Sequence, residues 1–400
     1  MKRTKKQTKW IKFRHRIVRD LVCLFLKPYS YLRYGVRVER FKQQGKRNYL
    51  VLYNHQTAFD QFFVGMCFRG PVYYVASEDI FSNGWVSSLI RYLVNPIPIK
   101  KQTTDLRAIM NCIRVSKEGG TVAIAPEGNR TFHGKPVHMA PAIAQLAKKL
   151  GLPIAICRME GGFGVQPRWS DAVRRGKMRT YVSCVIEPEE YGAMTDAALY
   201  DRIREELNVD EACVTGEYRH KRLAEYIERV LYVCPKCGLT SFESHGDTVT
   251  CQKCGLSVRY LPTKELDGGE GFPFRFLADW YAYQEAFVNA LDPTVPTDRP
   301  LWEERADLRE EIPYKKKVLV AKDQPVRLWG DRIEVGETVY PFDELSGVTV
   351  LGRNKLNLYH GGRIWQLKPP PRFNAVKYLN LYTRYKNVKK GDPHDRFLGL

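Results

Sequence analysis

The chain has 400 residues, 44% hydrophobic and 12% aromatic, with a formal net charge of +20. This apolar content excludes a disordered chain, and the length suggests two or three domains. Residues 1–47 hold 16 Lys and Arg against Asp20 and Glu39, or +14 of the total charge, a concentration that suits an anionic partner such as a membrane surface, nucleic acid or charged substrate.

Six of the ten cysteines are scattered singles, and four form the tight pairs Cys234/Cys237 and Cys251/Cys254. Scattered singles make no disulfide framework, so a reducing compartment is expected. No run approaches the roughly 20 apolar residues of a membrane-spanning helix, and no secretory cleavage pattern follows the short stretch "LVCLFL". The expected location is the cytoplasmic face of a membrane, with peripheral attachment.

Taken in chain order, the first element is a helix over 9–27. Trp10, Phe13, Ile17, Leu21 and Leu24 recur at spacings of three and four, and Lys12, Arg16 and Arg19 fall on the other side. An apolar face backed by cations suits a helix lying in the headgroups of an anionic bilayer, and the alternative is a core-packing helix with a solvated basic face. From 48 to about 190, strand-like segments ("NYLVLYN", "PVYYVAS", "PIPI", "TVAIAPEG", "LPIAICRMEGG", "MRTYVSCVIEP") alternate with helical ones ("FDQFFVGMCF", "NGWVSSLIRYLV", "TTDLRAIMNCIRVSKEGG", "MAPAIAQLAKKLG"). Continuous apolar strands joined by helices predict an α/β fold, a mostly parallel sheet covered by helices. Residues 232–258 are rich in Cys, Gly and Thr, a helical piece and a Pro-containing linker follow, and short alternating segments from about 316 predict an antiparallel β unit closed by a helix. The predicted divisions are 1–47, a basic membrane-associating segment; 48–230, the α/β domain; 231–262, a cysteine-bearing ribbon; 263–312, a helix and linker; and 313–400, a β-rich domain. That last pattern is loosely similar to a pleckstrin-homology-type module, with Lys315–Lys317 and Lys389–Lys390 as candidates for lipid headgroups; a plain packing or oligomerisation domain is the other reading.

Two stretches carry candidate chemistry. In "NHQTAFD" (54–60), His55 sits just past a strand and Asp60 opens the next helix. His15 and Asp20 share this spacing, but positions i and i+5 of one helix diverge by about 140°. At a strand-to-helix junction the imidazole is free to fold onto the carboxylate, which fixes its tautomer and raises the basicity of the other nitrogen. In "EGNRTF" (127–132), a buried strand delivers Glu127, Gly128, Asn129 and Arg130 at its C-terminal end, where ligands collect in α/β sheets. Arg130 offers a planar fork for phosphate, and Glu127 is placed to orient Arg130 or accept from a substrate hydroxyl. Lys100 and Lys101 close "PIPIKK" at another strand end.

These stretches, followed by "LPIAICR", resemble in order and spacing the four sequence blocks of the glycerolipid acyltransferase family over roughly residues 10–210. Asn129 stands where that family usually has Thr, and Thr131 where it has Ser, departures that bear on acceptor choice. The resemblance implies O-acyl transfer from acyl-CoA or acyl-carrier protein to a lysophospholipid, with lysophosphatidic acid the expected acceptor. His55 held by Asp60 would deprotonate the hydroxyl; Glu127, Gly128, Asn129 and Arg130, aided by Lys100 or Lys101, would hold the acceptor phosphate. A thioester is already activated, so no catalytic cofactor is expected.

"CPKCG" (234–238) and "CQKCG" (251–255) form an independent feature, CxxC-x13-CxxC with Gly after each pair. Four thiolates at Cys234, Cys237, Cys251 and Cys254 can surround one zinc ion tetrahedrally and leave no open position, which makes the expected metal structural. Redox dithiols are the remaining reading. A zinc ribbon and a basic arm also suit a nucleic-acid-binding protein. Against that, the ribbon segment is not conspicuously basic, and the positive charge sits on a helix with a large apolar face, so no nucleic-acid partner is expected.

Overall fold

The computed structural model describes residues 9–99, 105–212, 216–312 and 315–391; Lys100 and Lys101 lie outside the described residues. Its first unit contains α1 (Phe13–Tyr34), β1 (Val36–Val38), β2 (Leu50–Tyr53), α2 (Asp60–Cys67), β3 (Val72–Ser77), α3 (Trp85–Leu93), β4 (Ile97–Ile99), α4 (Leu106–Lys117), β5 (Thr121–Ile124), α5 (Ala142–Leu150), β6 (Ile154–Glu160), α6 (Gly162–Val165), β7 (Met178–Ile186), α7 (Pro188–Gly192) and α8 (Asp196–Leu207).

Tyr49–Tyr53 is apolar on both faces, as a strand covered on two sides must be. β2 accordingly lies buried in the middle of a seven-stranded sheet ordered β1-β7-β6-β2-β5-β3-β4. Every pairing in it is parallel except β6 with β7. Alternate side chains divide between two cores. Leu50, Leu52, Val122 and Ile154 meet Val115, Ile143, Ala147 and Ile203 on one face. Val51, Tyr53, Ala123 and Ala155 meet Tyr34, Phe63 and Val64 on the other. The expected mostly parallel, helix-covered sheet is therefore present as a mixed sheet with one antiparallel pairing.

Two details of the first 47 residues differ from expectation. The helix continues past Lys27, through an exposed Pro28, and stops at Gly35, whose φ of +62° suits the left-handed cap that glycine tolerates. Val36–Val38 then joins the sheet as an edge strand beside β7.

The second unit begins with β8 (Val233–Cys234) and β9 (Gly238–Leu239), a two-stranded hairpin. β10 (Phe242–His245), β11 (Thr248–Cys251), β12 (Ser257–Tyr260) and β13 (Leu266–Asp267) form a four-stranded antiparallel sheet, followed by α9 (Leu277–Asn289). β14 (Trp302–Glu311), β15 (Val318–Leu328), β16 (Arg332–Val335), β17 (Thr338–Pro341), β18 (Leu345–Leu351), β19 (Lys355–His360) and β20 (Arg363–Lys368) make a seven-stranded sheet ordered β17-β16-β15-β14-β20-β19-β18, closed by α10 (Val376–Lys389). This sheet starts at Trp302, inside the expected linker, with β14 at its centre. "WEERADLREE" is built from residues that favour helices, but Trp302, Ala306 and Leu308 turn inward and the packing decides.

One apolar cluster runs from Phe132, Phe163 and Trp169 of the first unit through Cys234, Cys251 and Trp280 to Leu308, Val348 and Tyr378 of the second. Lys317 lies on this junction, bonded to Asp79 and 3.2 Å from Gln366 Oε1, so it faces protein rather than the expected headgroup. Among the described residues, no helix is long and apolar enough to cross a membrane.

Candidate active site

β2 ends at Tyr53, and the chain turns at once. Asn54, 1% exposed, exchanges two hydrogen bonds with β6: its Nδ2 donates to Met159 O at 2.9 Å, and its Oδ1 accepts from Met159 N at 2.8 Å. His55 is thereby placed at the C-terminal edge of the sheet. α2 opens with Asp60, which is fully buried, and His55 Nδ1 lies 2.7 Å from Asp60 Oδ2. A carboxylate only accepts, so Nδ1 carries the proton and Nε2 keeps its lone pair. The carboxylate also accepts from Gln56 N (2.6 Å), Thr57 N (2.8 Å) and Thr57 Oγ1 (2.6 Å), so neither oxygen can swing away from the ring. Among the described residues Nε2 has no partner.

The surroundings keep the imidazole neutral. Burial lowers the His55 pKa from its ordinary 6.5, the Asp60 bond and charge raise it, and Arg130 and Arg168 lower it. Lowering prevails. A neutral ring with Nδ1–H on a carboxylate and Nε2 free can take a proton from a hydroxyl.

Of the "EGNRTF" residues, Glu127 is buried and takes a hydrogen bond from the His55 backbone N–H. Burial pushes its carboxyl up to about 8, that N–H opposes the rise, and the Asp60 charge adds to it. Among the described residues no ion pair joins Glu127 to Arg130, so Glu127 braces the histidine backbone and not the guanidinium. Gly128 is exposed with φ +67°, and its turn is closed by Asn129 N donating to Glu127 O at 2.8 Å. Asn129 is buried beneath it. Arg130 lies near Asp60 with no ion-pair partner among the described residues; burial pulls its pKa down to about 10, Asp60 raises it and Arg353 lowers it further. His55, Asp60, Glu127 and Arg130 thus converge.

Several contributors escaped the motif reading. Gln166 Oε1 accepts from Ala58 N at 3.1 Å and ties the histidine loop to the end of α6. Gly162 lies so close that an added Cβ would stand 2.6 Å from Gln56 Cβ. Tyr34 packs its ring 5.2 Å from Phe59 and 5.4 Å from Phe63, bracing α1 on the start of α2. Arg168, 2% exposed, donates Nη1 to Arg130 O at 2.9 Å. For Gly162, Gln166 and Arg168 the sequence signal is "GGFGVQPR" after an apolar strand, polar groups in a stretch that otherwise reads as core; Tyr34 carries no such signal.

The second predicted site is also assembled. The sulfurs of Cys234, Cys237, Cys251 and Cys254 lie within 4.8 Å of one another, and two pairs stand at 3.6 Å. Zinc thiolates with bonds of about 2.3 Å place their sulfurs about 3.8 Å apart, so the four can hold a metal ion. Gly238 and Gly255 have φ of +74° and +71°, the turns expected after each pair, and Lys236 N donates to Cys234 Sγ at 3.4 Å.

The comparisons mark the first unit as an acyltransferase. The acyltransferase family pattern matches residues 35–160, spanning β1 to β6 and every residue of the converged cluster. The 1-acyl-sn-glycerol-3-phosphate acyltransferase of Bacillus subtilis (strain 168) is 26% identical over 144 residues, 34% of this chain and 68% of that protein. The crystal structure of the 1-acyl-sn-glycerophosphate acyltransferase PlsC from Thermotoga maritima matches 48% of this chain and 77% of its own at 23% identity and a TM-score of 0.41. Residues 35–160 thus carry an acyltransferase domain, similar to the enzymes that acylate glycerol phosphates.

Proposed function

We propose that this protein transfers an acyl chain from a thioester, acyl-CoA or acyl-carrier protein, to the hydroxyl of a lysophospholipid, lysophosphatidic acid above all. The observation that carries the reading is the 2.7 Å bond between His55 Nδ1 and Asp60 Oδ2 beside Arg130, which has no ion-pair partner among the described residues. His55 Nε2 takes the acceptor proton, the oxygen attacks the thioester carbonyl, and the C–S bond breaks as the tetrahedral adduct collapses. The proton on Nε2 then passes to the leaving thiolate. Arg130 holds the acceptor phosphate, and the Gly128–Asn129 turn offers backbone at the same edge; Lys100 and Lys101, outside the described residues, remain candidates on sequence alone for neutralising the same phosphate.

The membrane part of the proposal draws on exposure. Phe13 (78%), Leu24 (67%), Phe25 (72%) and Trp85 (76%) face solvent on α1 and α3, with Ile17 and Leu21 in the same α1 stripe. Arg14 Nε donates to Tyr92 O at 2.8 Å and joins the two helices into one surface. Apolar surface of this extent beside a basic segment suits the interface of an anionic bilayer, and the cytoplasmic leaflet supplies that charge. Trp10 leaves the stripe, since its Nε1 donates to Asn95 O at 3.0 Å. Residues 231–262 are proposed as a ribbon whose four cysteines hold zinc in a structural role. When bound, the ion would supply a fourfold crosslink between the two CxxC turns.

The test is incubation of the purified protein with radiolabelled acyl-CoA and a panel of lysolipids. Acylated lysophosphatidate with wild type and none with His55→Ala, at unchanged thermal midpoint, is the expected result. Full turnover by folded His55→Ala removes the assignment.

A further inference from the structure

The second unit does more than pack against the first. Arg168 makes three hydrogen bonds with one guanidinium: Nη1 to Arg130 O at 2.9 Å, Nε to Gly352 O at 2.8 Å and Nη2 to Val350 O at 2.7 Å. Its guanidinium carbon also stands 4.1 Å from the centre of the Phe132 ring. The backbone of Arg130 and the β18–β19 turn are therefore tied to the same rigid fork. Arg353, next in that turn, extends Nη1 to Asp171 Oδ1 at 3.2 Å, and Asp171 is shared with Arg229 at 2.6 Å. Arg353 is 38% exposed and close enough to Arg130 for the two charges to repel.

Arg168 holds the backbone of Arg130 and the turn that carries Arg353 on one fork, which brings two guanidinium groups together at the sheet edge. The inner one lacks an ion pair among the described residues, and an anion shared with the outer one would compensate it. A phosphate monoester carries about two negative charges near neutral pH, whereas a phosphodiester headgroup carries one. One arginine matches the diester. A pair matches the monoester.

We infer that Arg353, delivered by the β18–β19 turn of the C-terminal sheet, is the second guanidinium of the acceptor site and selects phosphomonoester lysolipids over phosphodiester ones. The inference rests on the acyl-transfer reading for its substrate and assigns the C-terminal sheet a part in that site. Arg353 contacts the headgroup, and Arg168 is the positioning residue that sets the distance between the two charged turns.

The experiment compares wild type, Arg353→Ala and Arg353→Lys as full-length protein, with lysophosphatidate and lysophosphatidylglycerol as acceptors. For Arg353→Ala, KM for lysophosphatidate is expected to rise about tenfold with kcat within twofold, while lysophosphatidylglycerol kinetics change less than twofold. Arg353→Lys recovers part of the loss, because charge returns without the fork. An unchanged lysophosphatidate KM, or equal losses on both acceptors, overturns the inference. Calorimetric binding of sn-glycerol 3-phosphate, with glycerol as blank, separates this result from the acyl-transfer reading. Binding weakened about tenfold in Arg353→Ala supports the site even where wild type acylates no lysolipid, an outcome that removes the enzymatic reading alone. Equal binding by both proteins overturns the inference whatever the turnover.

Discussion

Asn54 and Met159 hold each other across two strands through a donor and an acceptor on one amide, at 2.9 and 2.8 Å. The histidine follows directly, so this pair decides where its imidazole stands. Asn54→Ala orphans a buried N–H and a buried C=O, each costing about 1–3 kcal/mol. The denaturation midpoint is expected to fall accordingly. In protein that remains folded, kcat is expected to fall while KM for the acyl donor stays close to wild type. Loss of stability with full kcat would separate the strand clamp from the site.

The pH profile reads the histidine. Its pKa is lowered in the folded protein, so the neutral base persists below the ordinary value of 6.5 and is lost only as pH falls through the lowered one. The acid limb of kcat/KM is expected below 6.5, with no decline between 7 and 6.5 attributable to His55. Asp60→Asn removes the bond and charge that raise the pKa and frees the ring to adopt the other tautomer. A loss of roughly 10²–10⁴-fold in kcat is the expected size for an undone general base. Titration of the His55 ring by NMR in both proteins checks the assignment.

How much of this was legible beforehand follows from the range of each interaction. Tyr49–Tyr53 announces a buried strand because both faces are apolar, and His55 and Asp60 meet because five residues across a junction can close locally. The cysteine pairs carry their own turn glycines. Val36–Val38 is too short to show a period, and Trp302–Glu311 carries helix-favouring charges on its solvent side. Arg168 and Arg353 were out of reach for a different reason. Arg168 acts through Arg130, 38 positions away, and through Gly352, 184 positions away, distances that only the packed fold spans.

Glu127 supplies a stability test independent of turnover. Its carboxyl is raised from 4.5 to about 8 in the folded state, chiefly by burial. Below pH 4.5 both folded and unfolded chains hold the proton. Between 4.5 and about 8 the unfolded chain releases it first, so stability falls as pH rises through that window. Glu127→Gln keeps the shape and removes the titration. Its midpoint is expected to decline less than wild type from pH 5 to pH 8, as measured by thermal melts in matched buffers. Parallel curves would show that the carboxyl does not titrate in this range.

The cysteine cluster is expected to bind close to one zinc per chain, measured by elemental analysis of protein purified without chelator. Cys234 and Cys251 sit in the same apolar cluster as Trp280 and Val348, so loss of the metal should loosen the second unit. Cys251→Ser is expected to lower the thermal midpoint and to release the metal, with kcat per folded molecule changed less than fivefold. Metal-free protein with an unaltered midpoint would leave the cluster as free thiols.

The exposed face of α1 separates the lipid reading from its nucleic-acid rival. Burying a large apolar side chain contributes about 1.5–3 kcal/mol when complete, and a side chain seated at a bilayer interface recovers part of that. Leu24 and Phe25 are 67% and 72% exposed, so replacing both with Glu costs little folding stability while removing apolar contact and adding repulsion from anionic lipid. Binding to vesicles containing anionic lipid is expected to fall roughly a hundredfold in Leu24→Glu/Phe25→Glu, read by sedimentation, with the melting curve unchanged. Wild-type binding should survive 0.5 M salt in large part, because the apolar term is not screened, whereas binding carried by the basic segment alone would collapse. Full release of wild type at high salt, with salt-sensitive retention on nucleic acid, would turn the function of residues 1–47 toward the rival partner.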